Sequence, residues 1–178
     1  MSKMFSNGRA RSGVIVLPCG AGKTLTGITA AANIKKSVLV LCNSNTSVEQ
    51  WRQQFYQFAN MQGSPVIAFT SKDATNMFDP SIAGVVISTY FMISFSQPRN
   101  SVVAQQMDKI KAIDWGLLIM DEVQMVPANQ FRRVTSNIKS RCKLGLTATL
   151  VREDDRIKEL NYLIGPKLYE ANWLDLTT

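Results

Sequence analysis

Between a short apolar run and a segment with helical periodicity, the chain reads Leu17-Pro18-Cys19-Gly20-Ala21-Gly22-Lys23-Thr24. A strand that leads through small residues to a helix N-terminus brings backbone N–H groups and the helix dipole close to an anion. We therefore expect a phosphate-binding loop, in which Lys23 neutralises the outer phosphates of ATP and Thr24 holds Mg²⁺. The usual pattern has its first glycine where this chain has Leu17, and the alternative is a glycine-rich turn with a chance lysine. The predicted loop consists of Pro18, Cys19, Gly20, Ala21, Gly22, Lys23 and Thr24.

Short apolar runs recur along the chain, with helical patterns between them. Several are rich in β-branched residues and apolar on both faces, which is typical of buried parallel strands. The runs are residues 14–17, 38–41, 66–69, 85–88, 117–120 and 144–147. They predict an α/β fold, a three-layer, doubly wound and mostly parallel sheet with helices on both faces, which binds ligands at the carboxyl ends of its strands.

The segments between the runs predict helices with one apolar face. After the loop, Leu25, Ile28 and Ala32 are expected on the buried face. A capping box at residues 47–50 is expected to start the next helix. Its expected core residues are Val48, Trp51, Phe55 and Phe58. Later helices are marked by Val103, Met107 and Ile110, by Phe131, Val134 and Ile138 after Pro127, and by Ile157 and Leu160.

Composition excludes several classes of enzyme. The 178 residues include no histidine, which removes Ser-His-Asp triads, Cys-His pairs and almost every zinc site with imidazole ligands. The three cysteines show no Cys-x-x-Cys spacing and fit a reducing compartment. The apolar runs are too short to span a bilayer, so we expect a soluble intracellular domain. The net charge of +7 favours a polyanionic partner.

A second motif follows the run 117–120, where Asp121 and Glu122 come at the end of a predicted strand. Asp121 is expected to hold Mg²⁺ together with Thr24, and Glu122 to orient and deprotonate the water that attacks the terminal phosphate. Taken alone, adjacent carboxylates are as often a solvated strand end. The phosphate-binding loop upstream in the same alternating fold favours the catalytic interpretation.

A third motif, Gly145-Leu146-Thr147-Ala148-Thr149, ends the last predicted strand. Its hydroxyls can hydrogen-bond the neighbouring carboxylates and sense the terminal phosphate, although the segment alone would be a polar turn. The order of phosphate loop, Asp-Glu and Thr-Ala-Thr resembles the first, RecA-like motor domain of superfamily 2 nucleic-acid helicases.

Five longer blocks of sequence give a more specific resemblance. They are similar to the XPB-type helicases, the DNA translocase subunits of TFIIH, and match the eukaryotic branch of that family better than the archaeal one. The blocks are residues 8–23, 47–51, 87–90, 146–155 and 163–173. The resemblance implies ATP-driven movement on DNA, used to open promoters in transcription and damaged duplex in nucleotide excision repair. It also implies partners like the TFIIH subunits and, in a eukaryote, a nuclear location.

The resemblance also implies roles for individual residues. Thr147 and Thr149 would couple the nucleotide to DNA. Asn43, Ser44 and Thr89 would contact the DNA backbone, which positions a protein without reading sequence. Arg152 lies in an Arg-Glu-Asp element that the family is thought to use in strand separation. Alternatively, the neighbouring acids cap a helix and Arg152 pairs with them.

The chain departs from the family at two points. The family motif Asp-Glu-Val-His has Gln124 in its fourth position here, and glutamine cannot become cationic. We therefore expect hydrolysis to survive and the coupling between ATP and DNA to be altered. We also expect a flexible basic segment at 1–12, an ATP-binding domain at 13–178, and the second motor domain outside this chain. That second domain supplies the arginine that stabilises the transition state, so the chain alone is expected to bind nucleotide weakly and hydrolyse it barely.

Two other functions stay open at this point. A small-molecule P-loop kinase shares the loop and the fold, but it requires neither Asp-Glu followed by Thr-Ala-Thr nor a basic surface. A paralogue or fragment without motor activity could instead serve as a module that binds nucleic acid or protein.

Overall fold

The apolar runs form the strands of one parallel sheet in a computed structural model, which describes residues 4–5, 10–71, 79, 81–95, 101–149 and 160–171. The predicted strands are β1 (Gly13–Val16), β2 (Val38–Cys42), β3 (Val66–Phe69), β4 (Val85–Thr89), β6 (Leu117–Met120) and β8 (Lys143–Thr147). With β9 (Lys167–Glu170) they make a seven-stranded sheet in the order β3-β4-β2-β6-β8-β1-β9. Every neighbouring pair in this sheet is parallel, as predicted.

Helices cover both faces of the sheet, because successive strand residues point to opposite sides. The helices are α1 (Lys23–Ile34), α2 (Asn45–Phe58), α3 (Tyr90–Ser94), α4 (Ser101–Ala112) and α5 (Ala128–Asn137). In β2, Val38, Val40 and Cys42 pack in the core with α1 and α2. Leu39 and Leu41 pack in the core with α3, α4 and α5. The three-layer architecture is therefore confirmed.

Some strands were not predicted. β9 lies at one edge of the sheet beside β1, and only its Leu168 is buried. A separate parallel pair is formed by β5 (Asp114–Trp115) and β7 (Lys139–Ser140), each only two residues long. Neither element contains an apolar run, so the pattern that identified the other strands is missing.

Two predicted helix features are wrong in detail. The buried face of α1 consists of Gly27, Ile28, Ala30 and Ala31, whereas Leu25 is 46% exposed and Ala32 is exposed. The close packing of α1 on its neighbours uses small residues, which a search for large apolar residues does not select.

The start and end of α2 also differ from expectation. The N-cap is Ser44, whose hydroxyl accepts the Ser47 N–H at 3.1 Å, in place of the capping box predicted at 47–50. Val48, Trp51 and Phe55 are buried as predicted, but Phe58 is 51% exposed. The predicted helix with Ile157 lies largely outside the described residues, which include only its last turn at 160–163.

The carboxyl ends of the strands bring the predicted motifs to one edge of the sheet. The phosphate loop follows β1, Asp121 follows β6, and Ala148 follows β8, which lies between them. On the other side of β6, β2 leads to Asn43 and β4 ends at Thr89. Within the described residues, no helix is both long and apolar enough to cross a membrane.

Candidate nucleotide-binding site

The loop after β1 has a backbone conformation that can bind an anion. Gly20 and Gly22 have φ angles of +81° and +85°, a region that glycine enters without strain. Gly22 is the N-cap of α1, and the first turn of α1 contains no acidic residue, so the positive helix end faces the loop. Leu17, in the place of the usual first glycine, is buried in the core, and its N–H donates to Thr147 O at 2.9 Å. At the position of the missing glycine, a backbone hydrogen bond therefore attaches the start of the loop to β8.

Lys23 and Glu122 meet directly. The Lys23 Nζ lies 3.2 Å from Glu122 Oε1, and the two side chains are 11% and 31% exposed. Lys23 Nζ also lies 4.0 Å from the Cys19 Sγ of the loop. Glu122 itself has a left-handed backbone conformation, with φ 48° and ψ 50°, which turns the chain sharply after β6. The structure thus brings the predicted phosphate ligand and the predicted base into one ion pair.

Gln124 links Glu122 to the Thr-Ala-Thr segment. Its Nε2 donates to Glu122 Oε2 at 2.7 Å, and its Oε1 accepts the Thr147 hydroxyl at 2.6 Å. The Thr147 hydroxyl also lies 2.8 Å from Thr149 O, and its oxygen accepts the Thr149 N–H at 3.3 Å. A continuous set of polar contacts therefore runs from Lys23 in the loop to Thr149 beyond β8.

Asp121 lies in a largely buried position beside this network. Its Oδ1 accepts the Glu122 N–H at 3.0 Å, and its Oδ2 accepts the indole N–H of Trp51 at 2.8 Å. Burial raises the pKa of Asp121 and the charge of Glu122 adds to this, while the hydrogen bond from Trp51 and the charge of Lys23 act against it. The ionised carboxylate is thus held by specific donors in an otherwise unfavourable place.

Residues present at this edge fit a magnesium ion that arrives with a nucleotide. Mg²⁺ binds oxygen atoms and usually takes one or two protein ligands, with phosphates and waters supplying the rest. Asp121 offers a carboxylate whose two oxygens each have one protein donor, so lone pairs are left for a cation. Thr24 offers a half-buried hydroxyl in the first turn of α1. In the described part of the chain, no group of three or more His, Cys, Asp or Glu side chains could hold a metal alone.

The residues predicted to contact DNA lie farther along the same edge. Asn43 and Ser44 are exposed, and Ser44 also caps α2. Thr89 is only 6% exposed, and its hydroxyl oxygen accepts the Met92 N–H at 3.2 Å as the N-cap of α3. Of these three residues, Asn43 and Ser44 are accessible, whereas Thr89 has a structural role that sequence reasoning missed. Arg152 lies outside the described residues.

Trp51 and Tyr90 contact the candidate site, and sequence reasoning did not identify them. Trp51 was assigned to the core, and it is buried, but its N–H reaches Asp121. The buried Tyr90 donates its hydroxyl to Asp121 O at 2.8 Å, and burial raises its pKa, so it stays a neutral donor. The available signal was position: α2 and α3 both start at the carboxyl edge of the sheet that carries Asp121.

The chain is similar in sequence to XPB subunits of the general transcription and DNA repair factor IIH. The chain is 59% identical over 177 residues to the Saccharomyces cerevisiae protein named general transcription and DNA repair factor IIH helicase/translocase subunit XPB/SSL2. It is 58% identical over 176 residues to the Schizosaccharomyces pombe subunit XPB, and 53% identical over 176 residues to that of Drosophila melanogaster. Each match covers 99% of this chain but only 21–22% of the relative. The resemblance to XPB-type helicases is therefore confirmed, for a region that spans about a fifth of these proteins.

Solved structures share the fold at low sequence identity. The Hef helicase domain of Pyrococcus furiosus superposes with a TM-score of 0.68 at 23% identity, over 94% of this chain and 37% of that one. The UvsW helicase of bacteriophage T4 superposes with a TM-score of 0.62 at 16% identity, over 94% of this chain and 57% of that one. These likenesses confirm the RecA-like α/β fold.

The family is established by a match over most of the chain. A sequence profile described as "Type III restriction enzyme, res subunit" matches residues 2–152. The chain therefore belongs to the family of the type III restriction enzyme res subunit.

Proposed function

We propose that this chain is the ATP-binding part of an XPB-like DNA helicase or translocase, which opens DNA in transcription initiation and nucleotide excision repair. The observation that carries the proposal is the set of contacts from Lys23 through Glu122 and Gln124 to Thr147. These contacts join a phosphate loop to a segment at the end of β8, which is the connection that a nucleotide-driven motor requires. The identity to XPB subunits over 99% of the chain supports the same assignment.

In the proposed mechanism, the loop binds the phosphates of ATP. The backbone N–H groups around Gly20 and Gly22 and the N-terminus of α1 receive the negative charge. The terminal phosphates of ATP compete with Glu122 for the Lys23 ammonium, and in this mechanism Lys23 moves from Glu122 to the phosphates when ATP binds. This exchange frees the Glu122 carboxylate at the moment when the substrate is in place.

Glu122 then acts as the base. Its carboxylate orients the attacking water and accepts its proton, and its Oε2 stays bound to Gln124 at 2.7 Å. Asp121 and Thr24 would hold Mg²⁺, which would neutralise the charge that develops on the phosphates.

Gln124 transmits the change in Glu122 to Thr147. A neutral amide can donate to a carboxylate and accept from a hydroxyl at once, and the observed contacts use both functions. In this proposal, glutamine supports coupling through these two contacts, and the coupling is altered because glutamine lacks the positive charge that a histidine at this position can carry. This observation favours an active motor over a module that has lost its activity.

DNA is proposed to bind through its backbone along the edge that carries Asn43 and Ser44, with Arg152 as a further contact. The net charge of +7 draws in a polyanion and makes binding weaken with salt. In a eukaryotic cell we expect a nuclear location, with partners like the TFIIH subunits.

Reciprocal binding of nucleotide and DNA tests the proposal. The affinity of the chain for fluorescent single-stranded DNA is measured by anisotropy without nucleotide, with a non-hydrolysable ATP analogue and with ADP, all with Mg²⁺. The motor proposal predicts that the analogue changes the DNA affinity at least fivefold, the low end of ordinary coupling. DNA must change the affinity for the analogue by the same factor. Lys23→Ala abolishes this dependence, whereas Lys35→Ala, at the other end of α1, preserves it.

The same measurements distinguish the alternatives. A module without motor activity binds DNA with one affinity in all three nucleotide states. A small-molecule kinase binds the nucleotide but shows no change in nucleotide affinity with DNA. Either result would contradict the proposed function.

A further inference from the structure

The buried indole of Trp51 is directed at the carboxylate of Asp121. Its Nε1 donates to Asp121 Oδ2 at 2.8 Å across 70 residues of sequence, and Trp51 is only 2% exposed. A hydrogen bond to a carboxylate is charge-assisted and stronger than a neutral one. The contact therefore places a specific donor on the side chain directly after β6 that is proposed to meet the metal ion.

Two helices fix the position of this indole. A Cβ atom at Gly27 of α1 would lie 2.6 Å from Trp51 Cη2 and 3.2 Å from its Cζ3, so only glycine permits this contact. On α2, the Phe55 ring packs beside the indole with centroids 6.0 Å apart. Trp51 thus lies between the helix that follows the phosphate loop and Asp121 at the end of β6.

We propose that Trp51 is a positioning residue, which fixes the orientation of the Asp121 carboxylate for the divalent cation of a bound nucleotide. The terminal torsion of aspartate has broad wells, so an unrestrained carboxylate can rotate. The indole holds Oδ2 and the Glu122 N–H holds Oδ1, and together they set the direction of the remaining lone pairs. Partners of this kind typically change metal affinity about 10–100-fold. The inference rests on the proposed function, because it requires that Asp121 binds the cation.

Calorimetry with a non-hydrolysable ATP analogue tests the role. For each variant the dissociation constant is measured with Mg²⁺ and with a chelator, and the ratio of the two gives the contribution of the cation. We expect Trp51→Phe to reduce this ratio about tenfold, at the low end of the range for such partners, while affinity in chelator stays unchanged. Trp115→Phe is the matched control, since it also deletes a buried indole bond, to Ile110 O at 3.0 Å.

Further variants separate positioning from general packing. Gly27→Ala is expected to displace the indole and to reduce the ratio in the same direction. In an Asp121→Asn background, Trp51→Phe is expected to have no further effect on the ratio. Should Trp51→Phe fail to fold, benzothienyl-alanine at position 51 keeps the ring shape and replaces only the N–H by sulfur.

The outcomes for the two proposals are distinct. If Mg²⁺ does not tighten binding of the analogue to the wild-type chain, the proposed nucleotide site is wrong. If it does, but the ratio of Trp51→Phe or its sulfur analogue equals that of Trp115→Phe, then Trp51 is only a core residue and the positioning role is refuted.

Discussion

Replacing Gln124 with methionine tests the contact network where the chain departs from the family. The Gln124→Met side chain keeps a similar length and loses both polar functions. The bond to Glu122 is the more valuable of the two, because an ionised partner makes a hydrogen bond worth about 1.5–3 kcal/mol. The Thr147 hydroxyl has a second acceptor in Thr149 O at 2.8 Å, so its loss is partly compensated. Glu122 keeps Lys23 as a partner and is 31% exposed, so water replaces part of the missing donor.

We therefore expect Gln124→Met to lower the free energy of unfolding by about 1–2 kcal/mol, which for a chain of this size corresponds to a loss of about 2–8 °C in Tm. Thermal unfolding measures the shift, and Gln53→Met is the control. Gln53 is exposed, and its Nε2 makes only a 3.4 Å contact with Glu49, so its replacement should change stability by less than about 0.5 kcal/mol.

The same variant has a predicted functional effect. Nucleotide affinity should stay within about threefold of wild type, because the loop and Lys23 are untouched, but the dependence of DNA binding on nucleotide should disappear. Gln124→His should restore it, since imidazole can also connect a carboxylate to a hydroxyl. Equal Tm values for Gln124→Met and Gln53→Met, together with unchanged coupling, would refute the argument.

Three further predictions concern the site itself. Burial raises the pKa of Asp121, so its ionised form opposes folding: Asp121→Asn should raise Tm at pH 7, and the gain in thermal scans should vanish as the pH falls below about 4. Glu122→Gln frees Lys23 from its 3.2 Å ion pair, which is worth about 1 kcal/mol, so calorimetry should show that ATP binds about fivefold more tightly. Cys19 is exposed whereas Cys42 and Cys142 are buried, so mass spectrometry should find alkylation first at Cys19, with loss of ATP binding and protection by MgATP.

Much of the fold could be predicted because parallel strands buried on both faces leave continuous apolar runs. The strands from β1 to β4, together with β6 and β8, all have that signature, and each was located within one or two residues. Val134 and Met107 likewise revealed their helices, since large apolar residues at helical spacing mark a buried face. β9 and the short β5–β7 pair were not predicted, because their pairing partners lie far away in the sequence and leave no local pattern.

The arrangement of the candidate site could be predicted only for residues that directly follow a predicted strand. The loop, Asp121 and Glu122 follow strands directly, so their place at the carboxyl edge follows from the fold class. The bond from Trp51 to Asp121 depends on how α2 packs against α1, which the small side chain of Gly27 permits. Periodicity marks a tryptophan as buried, but it carries no information about where the indole N–H points.

We propose above all that the loop from Pro18 to Thr24 binds the phosphates of ATP through Lys23. Calorimetric titration of the chain with a non-hydrolysable ATP analogue and Mg²⁺ tests it most directly, with Lys23→Ala and Lys35→Ala compared side by side. Lys35 is exposed at the far end of the same helix. We expect Lys23→Ala to weaken binding about 10–100-fold, because a charged contact is worth about 1.5–3 kcal/mol, and Lys35→Ala to stay within about twofold of wild type. Equal affinities for the two variants, or no binding to the wild-type chain, would contradict it.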